Sequence, residues 1–261
     1  MSYKILFLDI DGTILKPDHT YTESTKEAIK QVKAKGIEVF FATGRPLHEI
    51  EDLAEELEIE SGIGYNGGYA KYKGEMIVND AFRPELVEEI SSLAKELGNE
   101  LIFYTLGTNY LTDPEDPEME YFIDLFTMKK NARVPEDFSE AVYGLSSIKV
   151  LPEHVAHYEK FDELYMSPVN VGRLKNSYDF IQKKTNKGTA IQQVLEKLNI
   201  SPDEAIAFGD GMNDKDMLQL VGHSFAMGNA HPDVFQYAKY KTTSVNEDGI
   251  YNGLKELGLV K

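Results

Sequence analysis

Cysteine is missing from all 261 residues, which excludes disulfides, thiolate metal sites and a cysteine nucleophile and fits a reducing compartment. Long apolar runs are missing as well. No stretch approaches the roughly 20 residues that span a bilayer, and Met1 leads straight into a strand with neither a basic segment nor a signal-like apolar core. A soluble, cytoplasmic protein is expected. Positive charge is scarce, with 27 Lys and Arg against 44 Asp and Glu and a formal net charge of -17. Such a chain repels nucleic acid and anionic membrane, so neither is an expected partner. A small anionic substrate fits only if a local cation and a few placed basic groups hold it, which favours a divalent metal. Hydrophobic residues make up 42% of the chain, enough for an ample core in one large domain or two modest ones.

The most informative stretch is the apolar run Ile5, Leu6, Phe7, Leu8 that ends in Asp9, Ile10, Asp11, Gly12, Thr13. It reads as a central strand of a parallel sheet, whose ligands lie beyond the carboxyl ends of the strands. Asp9 and Asp11 alternate, so their side chains share a side and can hold a hard cation on oxygen while one attacks or moves a proton. The alternative is a plain strand with an Asp-Gly turn.

Thr22 or Ser24 caps a helix running to Lys35, with Gly36 as its stop. A strand follows over Glu38 to Ala42, closed by Thr43, Gly44 and Arg45, and Pro46 opens a helix continuing to Leu57. This order calls for a right-handed crossover and a parallel sheet. Ile63 to Tyr65 reads as a third strand, then Asn66-Gly67-Gly68, then a hairpin of Ala70 to Tyr72 and Glu75 to Val78. From about Phe82 to Lys183 the alternation loosens into an inserted α+β module, with helices near Pro84 to Leu97 and Glu153 to Leu164 and strands near Leu101 to Tyr104 and Ile148 to Leu151. The core pattern then returns: Lys187-Gly188 opens a helix to Leu198, and Ala205 to Phe208 is a buried strand ending in Gly209-Asp210. The expected fold is α/β, a doubly wound, Rossmann-like parallel-sheet core from residues 1–82 and 184–261, with residues 83–183 as an inserted α+β domain.

Strand ends and helix starts now carry complementary groups: Asp9 with Asp11, Thr43 with Gly44, Lys187, and Asp210 with Asn213 and Asp214. Singly, Thr43 or Asp214 reads as a helix cap and Lys187 as a solvated lysine. Together at one sheet rim they read as a site. The chain here resembles the haloacid dehalogenase-like superfamily of phosphohydrolases. Asp9-Ile10-Asp11-Gly12-Thr13, Phe41-Ala42-Thr43-Gly44-Arg45, Lys187-Gly188 and Gly209-Asp210-Gly211-Met212-Asn213-Asp214 are similar to its four motifs. Ala226-Met227-Gly228-Asn229-Ala230 and Asn246-Glu247-Asp248-Gly249 are similar to features of its Cof-type subfamily.

The resemblance implies a C2-type cap and a Mg2+-dependent phosphatase of small phosphorylated metabolites, such as sugar phosphates or phosphorylated cofactors, acting as a monomer or homodimer. By the same resemblance Asp9 is the nucleophile that forms an aspartyl phosphate, and Asp11 is the general acid and base, with Thr13 a candidate for orienting it. Mg2+ is held by Asp9, the carbonyl of Asp11 and Asp210, with Asp214 supporting. Ile10, Thr43, Gly44, Lys187 and Asn213 bind phosphate. Arg45 either clamps substrate or pairs with an acidic group such as Glu49.

His154 and His157 read as a solvated helix face, and Asp113 to Glu120 as a solvated loop or a surface of the insert. Tyr65, Tyr69 and Tyr72 either line the cleft under the insert or, as aromatics in strands more often do, serve packing. Lys129, Lys130, Arg133 and Arg173 are the notable basic residues of the insert, any of which could meet an anionic substrate. Rival functions are a phosphotransferase or phosphomutase of the phosphomannomutase-like kind, and a phospho-acceptor regulatory domain. The large insert and Asp11, a base for rapid hydrolysis, weigh against the regulator.

Overall fold

The computed structural model describes residues 3–169 and 172–261; Met1 lies outside them. The chain divides into two compact units, the first formed by Met1–Arg45, Glu51–Asn79 and Asn186–Lys261, the second by Pro46–Ile50 and Asp80–Thr185. In chain order the first unit begins with β1 (Ile5–Leu8), α1 (Glu23–Ala34), β2 (Glu38–Ala42), α2 (Glu51–Glu56), β3 (Ser61–Gly64), β4 (Tyr69–Tyr72) and β5 (Glu75–Asn79). The second unit contributes α3 (Pro84–Leu97), β6 (Glu100–Tyr104), β7 (Asn109–Leu111), α4 (Pro117–Phe126), β8 (Asn131–Arg133), β9 (Gly144–Ile148), α5 (Pro152–Tyr158), β10 (Leu164–Pro168) and β11 (Tyr178–Gln182). The first unit resumes with α6 (Lys187–Leu198), β12 (Ala205–Gly209), α7 (Lys215–Leu220), β13 (His223–Ala226), β14 (Tyr240–Lys241) and α8 (Gly249–Glu256).

The first unit is built on an eight-stranded sheet of order β14-β13-β12-β1-β2-β3-β4-β5. From β14 to β3 all neighbours are parallel, and β4 and β5 add an antiparallel edge. β1 lies between β12 and β2 with all four residues fully buried, as a continuously apolar strand covered on both faces must be. Ile5, Phe7, Phe40, Ala42, Ala205 and Ala207 alternate onto one face and meet Ala190, Ile191, Val194 and Leu195 of α6. On the other face Gly253 of α8 lies against Phe208 and Phe225, where any larger residue would strike the rings. Each fully buried Leu, Ile or Phe contributes ~1.5–3 kcal/mol, so the strand ends are carried by a stiff support.

The second unit is a six-stranded sheet of order β10-β11-β9-β6-β7-β8, antiparallel except between β7 and β8. Leu86, Val87, Ile90 and Ala94 of α3 pack with Leu101, Phe103, Leu145 and Phe180, and Met119 and Phe122 of α4 pack with Ile102 and Ile148. No helix among the described residues is long and apolar enough to cross a membrane.

Several expected boundaries are corrected. Pro46 does not open a continuous helix to Leu57: Leu47–Ile50 is a 3-10 turn and α2 starts at Glu51. His48 and Glu49 are drawn into the second unit, where Nε2 of His48 meets Oδ1 of Asn109 at 3.0 Å and both Glu49 oxygens accept from the Lys129 amide at 3.0 and 2.8 Å. The third strand ends at Gly64 because Tyr65 and Asn66 take positive φ. The strand expected at Ile148 to Leu151 is Gly144–Ile148, cut off where Lys149 turns left-handed at φ 63°. The helix expected to Leu164 ends at Tyr158, and Leu164 opens β10. The acidic stretch is half helical, because Asp116 caps α4 by accepting from the amides of Glu118 and Met119, with Pro117 at the first helical position.

Candidate functional site

Three neighbouring strands of the first unit, β12, β1 and β2, end at one rim, and the chain leaves each in a polar turn. After β1, the carbonyl of Ile10 accepts from the amides of Thr13, Ile14 and Leu15, and the Gly12 amide returns to Leu15 O. Gly12 sits at φ 81°, and a Cβ there would collide with the Asp210 carboxylate. Only glycine lets the first and fourth motifs approach this closely.

At the centre is a fully buried lysine. Nζ of Lys187, at the start of α6, donates to Asp9 Oδ1 at 2.7 Å and to Asp214 Oδ1 at 2.6 Å. The Asn186 capping box sets this helix start, its side chain accepting from the Thr189 amide while Thr189 Oγ1 accepts from the Asn186 amide. Burial disfavours the Lys187 ammonium, but Asp214 and Asp9 outweigh it and raise its pKa. The lysine is therefore a fixed cation. Asp214 does not cap α7: its other oxygen accepts from the amides of Asp210 and Gly211 at 2.9 and 3.0 Å, which braces the turn after β12.

Carboxylate oxygens of Asp9, Asp210 and Asp214 lie within 4.8 Å of one another. Burial, and then the negative charge of Asp214, push the Asp9 pKa well above the ordinary value despite Lys187, and the same two causes push Asp210 up to about 6. Three carboxyl groups share one ammonium, so ionising all three would leave two negative charges for a bound cation to balance. An oxygen-only set with that deficit fits a hard divalent cation such as Mg2+.

The remaining expected residues fall around this centre, with changes of partner. Thr13 was expected to orient Asp11 but donates to Asp210 Oδ1 at 3.4 Å, because the turn at Gly12 carries it toward β12. Arg45 does not pair with Glu49, which is engaged by Lys129 and Asn109 in the second unit. Its guanidinium instead grips both oxygens of Asp11, Nε at 2.7 Å and Nη2 at 2.5 Å. Thr43 is fully buried, and its hydroxyl accepts from the Arg45 amide, which shapes the loop carrying Gly44. Asn213 donates to Oδ1 of Asn66 at 3.0 Å.

Two asparagines were not singled out from the sequence. Asn229 donates to the Gly12 carbonyl at 2.8 Å and to Asp210 Oδ2 at 3.4 Å, tying the first and fourth motifs together. It lies inside Ala226-Met227-Gly228-Asn229-Ala230, the one signal that marked it. Asn66 follows β3 in what read as a simple turn. Other candidates have partners within their own unit: Tyr72 stacks on Phe40, Arg133 pairs with Asp113 and Glu115, Arg173 covers the Tyr121 ring, and His154 meets Asn99.

The haloacid dehalogenase-like hydrolase family model matches residues 6–254. The putative phosphatase YkrA of Bacillus subtilis is 31% identical over 265 residues, covering all of both chains. A structure from Geobacillus kaustophilus HTA426, described as a hypothetical protein, superposes with a TM-score of 0.92 at 30% identity over 99% of this chain and all of that one. The subclass IIB sugar phosphatase BT4131 superposes at 0.81 with 27% identity, over 98% of this chain and all of that one. With four motifs gathered at one sheet rim and matches across the length of the chain, the protein belongs to the Cof-type haloacid dehalogenase-like hydrolases.

Proposed function

We propose that this phosphatase is Mg2+-dependent and hydrolyses small phosphorylated metabolites, sugar phosphates or phosphorylated cofactors, through an aspartyl phosphate on Asp9. One observation carries the reading: carboxylate oxygens of Asp9, Asp210 and Asp214 lie within 4.8 Å of one another, with a single buried lysine paired to Asp9 and Asp214. The cation would be held by Asp9, the Asp11 carbonyl and Asp210, with Asp214 behind them. When bound, it neutralises phosphoryl oxygens and lets Asp9 ionise despite its burial.

Asp9, steadied by Lys187, attacks phosphorus, and the bond to the leaving oxygen breaks. Asp11 gives that oxygen a proton and then takes one from the water that attacks the aspartyl phosphate. Both Asp11 oxygens are held by Arg45 in the observed arrangement, so its action on a leaving group requires this pair to open. The Thr43 hydroxyl, the Ile10 and Gly44 amides, Lys187 and Asn213 hold the phosphoryl oxygens as charge develops. Residues 83–183 act as a cap domain that sets selectivity among substrates.

A phosphate-release screen over phosphorylated sugars and cofactors with Mg2+ tests this reading. Release without an added acceptor is expected. Transfer to a sugar hydroxyl with no free phosphate would instead assign a phosphomutase.

A further inference from the structure

We propose that Asn66 is a direct ligand of the phosphoryl group, a role that rests on the phosphatase reading above. Asn66 follows β3 in a turn where Tyr65, Asn66 and Gly67 all take positive φ, at 55°, 52° and 107°. The left-handed region costs an L-residue ~1–2 kcal/mol, least for asparagine. Such strain persists only where surrounding contacts over-determine it, and it clusters at functional sites. Here the contacts come from the second motif: the Tyr65 amide donates to Arg45 O at 3.2 Å and the Asn66 amide to Thr43 O at 3.1 Å. The turn is pinned to the loop proposed to hold phosphate.

The side chain sits within that loop. A Cβ built on Gly44 would lie 3.1 Å from both Nδ2 and Oδ1 of Asn66. The carboxamide therefore lies against the bare α-carbon of Gly44, and a larger residue at 44 would crowd it. Its oxygen is occupied by Nδ2 of Asn213 at 3.0 Å. Asn66 thus touches two residues proposed to bind phosphate, Gly44 and Asn213, which come from separate strand ends. With Oδ1 accepting, Nδ2 keeps two protons to donate between those groups. A phosphoryl oxygen has only acceptor sites, so a donor is what such a position needs.

Two substitutions separate a ligand from a spacer. Asn66→Asp keeps the backbone preference and an acceptor for Asn213 but removes the donor. Asn66→Gly tolerates positive φ and removes the carboxamide without adding charge. Inorganic phosphate is titrated calorimetrically into each full-length protein with Mg2+ present, kcat and KM are measured on the best ester, and thermal melts verify folding. Phosphate affinity should fall ~10- to 100-fold in both variants, and kcat/KM by ~100-fold or more in Asn66→Asp. Parent-like phosphate binding by Asn66→Gly overturns the proposal. So does a parent-like Asn66→Asp beside an impaired Asn66→Gly, which would make Asn66 only a support for Asn213. A parent protein that neither binds phosphate nor releases it from any ester overturns the phosphatase reading itself, and this proposal with it.

Discussion

Replacing Lys187 with methionine probes the electrostatic centre of the first unit. The side chain is fully buried, as is that of Asp214, and Asp9 is nearly so, with ion pairs at 2.7 and 2.6 Å. Methionine preserves volume but leaves two buried carboxylates with no cation between them. Breaking a buried pair by removing one partner costs ~3–5 kcal/mol, a large share of the ~5–15 kcal/mol that a folded domain has in total. Melting of the first unit should therefore drop by ~6–20 °C in metal-free buffer at about pH 7.5. The loss should shrink toward about pH 5, because Asp9, whose pKa burial and the charge of Asp214 already hold high, takes up a proton once Lys187 is gone and ceases to repel Asp214. The Lys187→Met/Asp214→Asn double variant should recover part of the loss, since one of the two stranded charges is gone while an amide oxygen still accepts from the Asp210 and Gly211 amides. Urea denaturation at both pH values decides it. A Lys187→Met protein within about 1 kcal/mol of the parent at both would mean that the lysine does not balance the acidic centre.

Asp9→Asn should abolish turnover, whereas Asp11→Asn should slow it by ~100-fold or more, the scale of lost acid-base catalysis, and leave Mg2+ affinity nearly unchanged; steady-state kinetics and calorimetric Mg2+ titration check both. In chelator, the Asp210 pKa near 6 against an ordinary 3.8 means that the folded form holds this proton more tightly than the unfolded one, so its contribution falls as pH rises across that window. The melting temperature of the parent relative to Asp210→Asn should decline between about pH 4 and about pH 6, and Mg2+ should remove the decline; calorimetric melts that diverge the other way would reject the sign.

The first unit was legible because its signals are local. A short, mainly apolar strand followed by Asp9, Thr43 or Asp210 marks a rim, and Asn186 and Thr22 stand at the starts of their helices. Partners were less legible, because they depend on distant contacts. Nothing near Glu49 in sequence foretells that it accepts from the Lys129 amide, 80 positions away, and so draws Pro46–Ile50 into the second unit. Arg45 and Asp11, 34 positions apart, were both identified, yet their pairing emerges only when two strand ends become neighbours. In the second unit β7 and β8 span three residues each, too short for alternation to register. Asp116-Pro117 carries the signature of a helix cap, masked by the acidic run around it.

The central claim is that phosphorus passes through Asp9, and the most direct test is to trap that intermediate. The Asp11→Asn protein, slowed in releasing phosphate, is mixed with Mg2+ and its best phosphorylated substrate, quenched in acid within one turnover and digested for mass spectrometry. The account predicts one phosphoryl group on the peptide that carries Asp9, absent when Asp9 is also replaced by Asn. A phosphoryl group on any other residue, or complete turnover with none on the protein at any quench time, would contradict it.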